Sequence, residues 1–233
     1  MTGSEAEPVS RRQVEREWSD IAFALKFYVV LLAIQIATAI TAHATTPLHA
    51  YIVADGALGA ANVIALAMRW RLVRDSLRLG FPPRLALVAL GGALPVFVSV
   101  HFVVYGIALA FSIFDKGYLA DFRGMHVAWA YVIIAVDAAV LEEVAFRGVI
   151  YTILRKYLGL SEAIIVTSFA FAIMHFSVLG LVTHVALGIY LCWFREKSGS
   201  VVPGIAAHFL HNALVLLDEQ FYVLPRALIP GWP

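Results

Sequence analysis

Glu142 and Glu143 stand side by side in Leu141-Glu142-Glu143-Val144-Ala145-Phe146-Arg147-Gly148, inside an otherwise apolar run from Val127 to Leu154. The run is long enough to cross a bilayer. An ionisable side chain at mid-depth costs roughly 2.5–3.5 kcal/mol even on insertion scales, so charges there mark a functional site when partners can be named. On a helix Glu143 and Arg147, four apart, share a face, and Arg147 can neutralise Glu143 and fix it in place. Glu142 and Arg147 are five apart, about 140° around the helix. Glu142 is therefore the freer carboxylate and suits a general acid or base. A structural ion cluster between helices would account for the same three residues.

Further polar side chains occur in two later apolar segments. Phe171-Ala172-Ile173-Met174-His175 ends one of them, and His208-Phe209-Leu210-His211-Asn212 lies within another. His208 and Asn212 are four apart and stack on one helix face, where two polar groups must meet something polar. His211 points partly away, as a packing residue or one lying behind the site. Singly, His175 reads as a satisfied core histidine and His208 with Asn212 as an interhelical hydrogen-bond pair. One polar site explains all six residues more economically than separate structural roles.

The elements that would position them are membrane spans. The chain has 233 residues, 61% hydrophobic and 14% charged, with mean hydropathy +0.84. A soluble domain carries about 25% charge. The fold class is therefore all-α, a polytopic transmembrane helical bundle integral to the membrane and surrounded by lipid. Seven spans are expected, at Ile21–Ile40, Tyr51–Met68, Leu85–Phe111, Val127–Leu154, Ala163–Phe176, Leu179–Phe194 and Val201–Leu217. Pro95 should kink the third. An eighth span arises only if that third run is a helical hairpin. Residues 1–20 form a polar tail or interfacial helix, and residues 21–233 one transmembrane domain. Ala42-His43-Ala44 faintly matches a signal-peptidase site, but the long acidic tail before it favours a retained anchor. The tail to Pro233, with Pro225, Pro230 and Trp232, is expected at the interface. With a cytoplasmic amino terminus, the inner segments carry twelve Lys and Arg and the outer segments three, as the positive-inside rule requires. The single cysteine, Cys192, excludes an intrachain disulfide and reads as a buried small hydrophobe. No basic patch with interleaved aromatics points to nucleic acid. His184, His101 and Asp137 read as core or cavity lining, and Asp137, one to two turns before Glu142, as a contact behind the site.

The motifs resemble those of a known family. Glu142-Glu143-x-x-x-Arg147, Phe171-x-x-x-His175 and His208-x-x-x-Asn212, in this order, are similar to the three signature motifs of the CAAX protease and bacteriocin-processing (CPBP, or Abi) family of intramembrane endopeptidases. The likeness covers roughly Asp137 to Leu217, within a protease-like core at about 127–217, and the first 120 residues carry no motif. It implies an intramembrane endopeptidase acting on a membrane-associated peptide or protein: a prenylated tail, a sorting or signal peptide, or an anchored regulator. It further implies that Glu142, helped by His175, activates water. His208 and Asn212 would stabilise the oxyanion, Glu143 and Arg147 would support the site, and Phe171 belongs to the second motif. No cofactor is required on that mechanism. Glu142, His175 and His208 are also the set that would ligate zinc if the enzyme were metal-dependent. The competing readings are a non-catalytic membrane binding or immunity protein of the same fold, and a small transporter with charges along an ion path.

Overall fold

The computed structural model describes residues 11–44, 47–80, 82–111 and 117–221, and among them there are seven helices and no strand. They are α1 (Arg11–Ala44), α2 (Pro47–Val73), α3 (Pro83–Phe111), α4 (128–157), α5 (Leu160–Ile173), α6 (Val178–Ser198) and α7 (Val202–Phe221). Each falls on one of the seven apolar segments read from the sequence. Residues 1–10 and the carboxy-terminal tail with Pro225, Pro230 and Trp232 lie outside the described residues. Residues 11–20 form the first turns of α1. The stretches Gln13–Ala42, Pro47–Leu77 and Pro83–Phe111 are long and apolar enough to cross a membrane, while Leu160–Ile173 is apolar but shorter.

The bundle is arranged as a lipid-facing protein must be. Large apolar side chains on the first three helices point outward, including Leu25, Val53, Val63, Leu87 and Phe111. The fully buried positions include Glu143, Arg147, Thr167, Ser168 and Ser200. Lipid tails are as apolar as leucine, so outward leucines cost nothing there, whereas a backbone or side-chain polar group must find its partner inside. Helix α4 is the axis. Its Phe146, Val149, Ile150 and Ile153 pack with Phe27 and Leu31 of α1, Leu58 of α2, Phe171 of α5, and Leu187 and Leu191 of α6.

The inner-side segments inferred from Lys and Arg gather at one end of the bundle. Asp20 of α1 pairs with Arg69 at 3.3 Å and Lys156 at 3.5 Å, and Tyr157 donates to it. Arg155 pairs with Glu196 at 3.1 Å. Arg78 donates to the Ser198 carbonyl at 3.3 Å.

Two local features differ from the expected regular spans. Helix α3 runs unbroken through Pro95, so among the described residues the third run is one helix and not a hairpin. An interruption not expected from the sequence lies in α2, at Arg69, whose φ of −122° and ψ of 21° are non-helical. Helix α4 contains two π-helical stretches, Tyr131–Asp137 and Val144–Ile150, on either side of the α-helical Ala138–Glu143. Such wide turns are rare and concentrate at functional sites. Side chains from other elements, and Thr152 of α4 itself, bond carbonyls along this helix. Asn212 donates to the Ile134 carbonyl at 2.8 Å, Asn62 to Leu141 at 2.9 Å, Thr152 to Arg147 at 3.1 Å and Ser76 to Gly148 at 3.3 Å.

Asp20 ties the start of α1 to the ends of α2 and α4. Replacing it by alanine is expected to cost about 1 kcal/mol, as half-exposed ion pairs do. A chain of this length would then melt roughly 2–4 °C lower in a detergent thermal-shift assay.

Candidate active site

The polar residues picked from sequence come together around α4. Glu143 and Arg147 are both fully buried, and the Arg147 guanidinium donates to Glu143 Oε1 at 2.7 Å. Arg147 also donates to the Gly188 carbonyl of α6 at 3.3 Å and lies 4.5 Å from the centre of the Phe171 ring of α5. From α7, the His208 Nδ1–H donates to Glu143 Oε1 at 3.1 Å. One carboxylate oxygen is thus shared by a guanidinium and an imidazole. Gly204, one turn before His208, makes room for this. A Cβ there would sit 2.8 Å from Glu143 Oε2.

Glu142 faces the other way, as its angular separation from Arg147 requires. Its Oε2 has no hydrogen-bond partner and stands 3.9 Å from Nε2 of both His175 and His208. The Glu142 and His175 side chains keep 11% and 17% of their surface exposed, whereas Glu143 and Arg147 keep none and His208 2%. The approachable edge of the cluster is therefore the Glu142–His175 edge.

The hydrogen-bond partners decide the imidazole tautomers. The Nδ1 of His175 is 2.9 Å from the Phe171 carbonyl, which can only accept, so Nδ1 carries the proton. His208 Nδ1 faces a carboxylate and carries its proton too. In their neutral forms both rings then present bare Nε2 atoms toward the Glu142 carboxylate. Three acceptors converge, and only a donor placed among them, or a proton taken up by one of them, can reconcile them. A small donor at about 2.8 Å from two acceptors 3.9 Å apart subtends roughly 90°. That is close to the angle between the two O–H bonds of water.

The same donor set is of the kind that holds zinc, since ligating histidines commonly donate their other N–H to a carbonyl or carboxylate. Its spacing is wide for that role. Two ligands about 2.0–2.1 Å from a tetrahedral zinc stand roughly 3.3 Å apart, and among the described residues no three His, Cys, Asp or Glu side chains form a group that could hold a metal ion.

The remaining candidates take distinct places. Phe171 meets His175, His208 and Phe146 edge-on. Asn212 spends one amide N–H on the Ile134 carbonyl. His211 packs against Phe97 and His101 of α3, each at 5.8 Å between ring centres. Asp137 ends the first π stretch and makes no hydrogen bond or ion pair with either glutamate. His184, expected as core or cavity lining, stacks its ring on His175 at 3.7 Å, and Asn62, Gly188 and Gly204, which carry no signal in the sequence, also touch α4 or its charge pair. His184 lies four residues before Gly188, on the α6 face that meets Arg147.

Arg147→Met leaves Glu143 buried without its cation, and breaking a buried pair in this way costs about 3–5 kcal/mol. The variant should be largely unfolded in detergent. Glu143→Gln combined with Arg147→Met removes both charges, and thermal melting should show most of the fold recovered.

No curated protein and no solved structure matches the chain. Residues 123–214 match the family described as type II CAAX prenyl endopeptidase, Rce1-like. The matched stretch covers less than half of the chain, yet it spans Glu142, Glu143, Arg147, His175 and His208, the side chains that meet in this cluster. Through that segment, the chain is similar to the CAAX protease family.

Proposed function

We propose that this protein is an intramembrane endopeptidase in which Glu142 activates water, without a metal, to cut a peptide bond of a membrane-associated substrate. A peptide with a prenylated carboxy-terminal tail is the first candidate, by analogy with the family description. The observation that carries the reading is the convergence of an unpartnered carboxylate oxygen with two bare imidazole nitrogens, each 3.9 Å away. A water donating one O–H to Glu142 and the other to His175 keeps its lone pair for attack. Glu142 takes the proton as the oxygen bonds to the scissile carbonyl carbon. It then returns the proton to the leaving nitrogen as the C–N bond breaks.

The developing oxyanion needs donors. His208 serves once its Nε2 has taken up a proton from the water of the site, with its Nδ1–H held by the Glu143 carboxylate. Asn212 contributes the amide N–H that Ile134 does not take. Oxyanion donors are each worth about 3–4 kcal/mol in enzymes that use them. Glu143 and Arg147 then act by placing His208.

The experiment uses purified protein in detergent or liposomes with a fluorogenic peptide ending in a farnesylated CAAX sequence. Glu142→Gln, which keeps the shape and removes the base, should lower turnover at least a hundredfold without lowering the melting temperature. Unchanged cleavage by this variant would refute the glutamate mechanism. Zinc at one equivalent in active protein, with activity lost to a chelator and restored by the metal, would replace the water mechanism with a metal one. A well-folded wild type that cuts no such peptide, and whose membranes hold the same protein termini as those of Glu142→Gln, would favour a binding or immunity role.

A further inference from the structure

His175 lies just beyond the last turn of α5, its backbone N–H donating to the Ala172 carbonyl at 3.2 Å. Helix α5 ends at Ile173, and His175 lies in the turn that follows. The next residue, Phe176, has a φ of 49°, a conformation rare for an aromatic residue. An imidazole that must aim one nitrogen at Glu142 needs two constraints, one on which edge faces the carboxylate and one on the tilt of the ring plane. The Phe171 carbonyl on Nδ1 supplies the first. The second comes from across the turn. The His184 ring of α6 lies against the flat face of His175, with centres 3.7 Å apart and planes 25° from parallel.

His184 is itself fixed. Its Nδ1–H donates to the Gly180 carbonyl one turn earlier. Gly180 in turn donates its backbone N–H to Ser177 Oγ, the cap of α6, at 2.9 Å. The absence of a side chain at Gly180 leaves the ring its place, since a Cβ there would lie 3.0 Å from His184 Cε1. Phe171 touches the pair edge-on, at 4.9 Å from His175 and 5.9 Å from His184. We propose that His184 is a positioning residue that sets the plane of the His175 imidazole and keeps its bare Nε2 directed at Glu142. The effect on turnover rests on the endopeptidase reading, whereas the effect on His175 does not.

The test compares His184→Ala, which removes the flat face, with His184→Phe, which keeps a flat face and cannot ionise. The first readout is the imidazole nitrogen spectrum of histidine-labelled protein in micelles, with His175 assigned by its loss in His175→Gln. His175 should show one sharp pair of ring-nitrogen signals in wild type and His184→Phe, and signals shifted and broadened by motion of the ring plane in His184→Ala. A wild-type signature in His184→Ala would overturn the proposal. The second readout is turnover of the farnesylated peptide. His184→Ala should lose roughly ten- to a hundredfold in kcat with little change in KM, the usual size for an ångström-scale misplacement. His184→Phe should retain most of the activity and the wild-type pH profile. If His184→Phe falls as far as His184→Ala, His184 acts through its proton and the positioning role is wrong. Should His184→Ala fail to fold, His184→Leu, which fills the volume without a flat ring, takes its place. If wild type cuts no peptide, the endopeptidase reading fails while the spectrum still decides the role of His184.

Discussion

A single buried charge pair joins most of this bundle. Glu143 and Arg147 have no exposed surface, and taking two such ions out of water costs several kcal/mol each unless their remaining groups are satisfied. The chain meets that demand from three other helices. Gly188 of α6 lends a carbonyl, Phe171 of α5 a ring face and His208 of α7 an N–H. Each of those helices must therefore sit at a fixed distance from α4. The pair is a poor source of net stability, but it makes any other packing of the four helices leave a charge unpaired.

From that joint follows the asymmetry between two adjacent glutamates. Glu143 is sealed and triply constrained, and Glu142 is partly open and unpartnered. The π stretch that begins at Val144 starts directly after them, so the turn of helix carrying Arg147 is wider than a regular one. Carbonyls of the two wide turns bond side chains from α7, from the short turn after α2 and from α4 itself. In lipid those donors cannot be replaced by water. Asn212 thus has a structural duty, tying α7 to the first wide turn of α4.

Much of this was legible in the chain. The seven apolar runs, the i to i+4 pairing of Glu143 with Arg147 and the outward turn of Glu142 follow from composition and helical spacing. The clustering of basic ends follows from the alternation of Lys and Arg. What was not legible depends on how helices meet. The π turns have no local pattern in the sequence, and two of the side chains that bond their carbonyls, Asn212 and Ser76, are distant in it. Pro95 lies inside one helix, so the third run is not the hairpin its proline and length left open. His184 belongs to no motif, and its place beside His175 is set by the turn between α5 and α6. The tautomer of His208 could not be read without the oxygen it faces.

Gly204 has a consequence that reaches beyond this chain. The acid at 143 is pinned by two donors on its other oxygen, so it cannot retreat from a methyl group at 204. The two positions are chemically one choice. A relative that keeps the acid at 143 with the same two donors should carry glycine at 204, and one with a side chain at 204 should have given up the acid or its arginine. Substitutions at these sites should therefore arise together, and 204 would serve as a marker, read from sequence alone, of whether the cluster is intact.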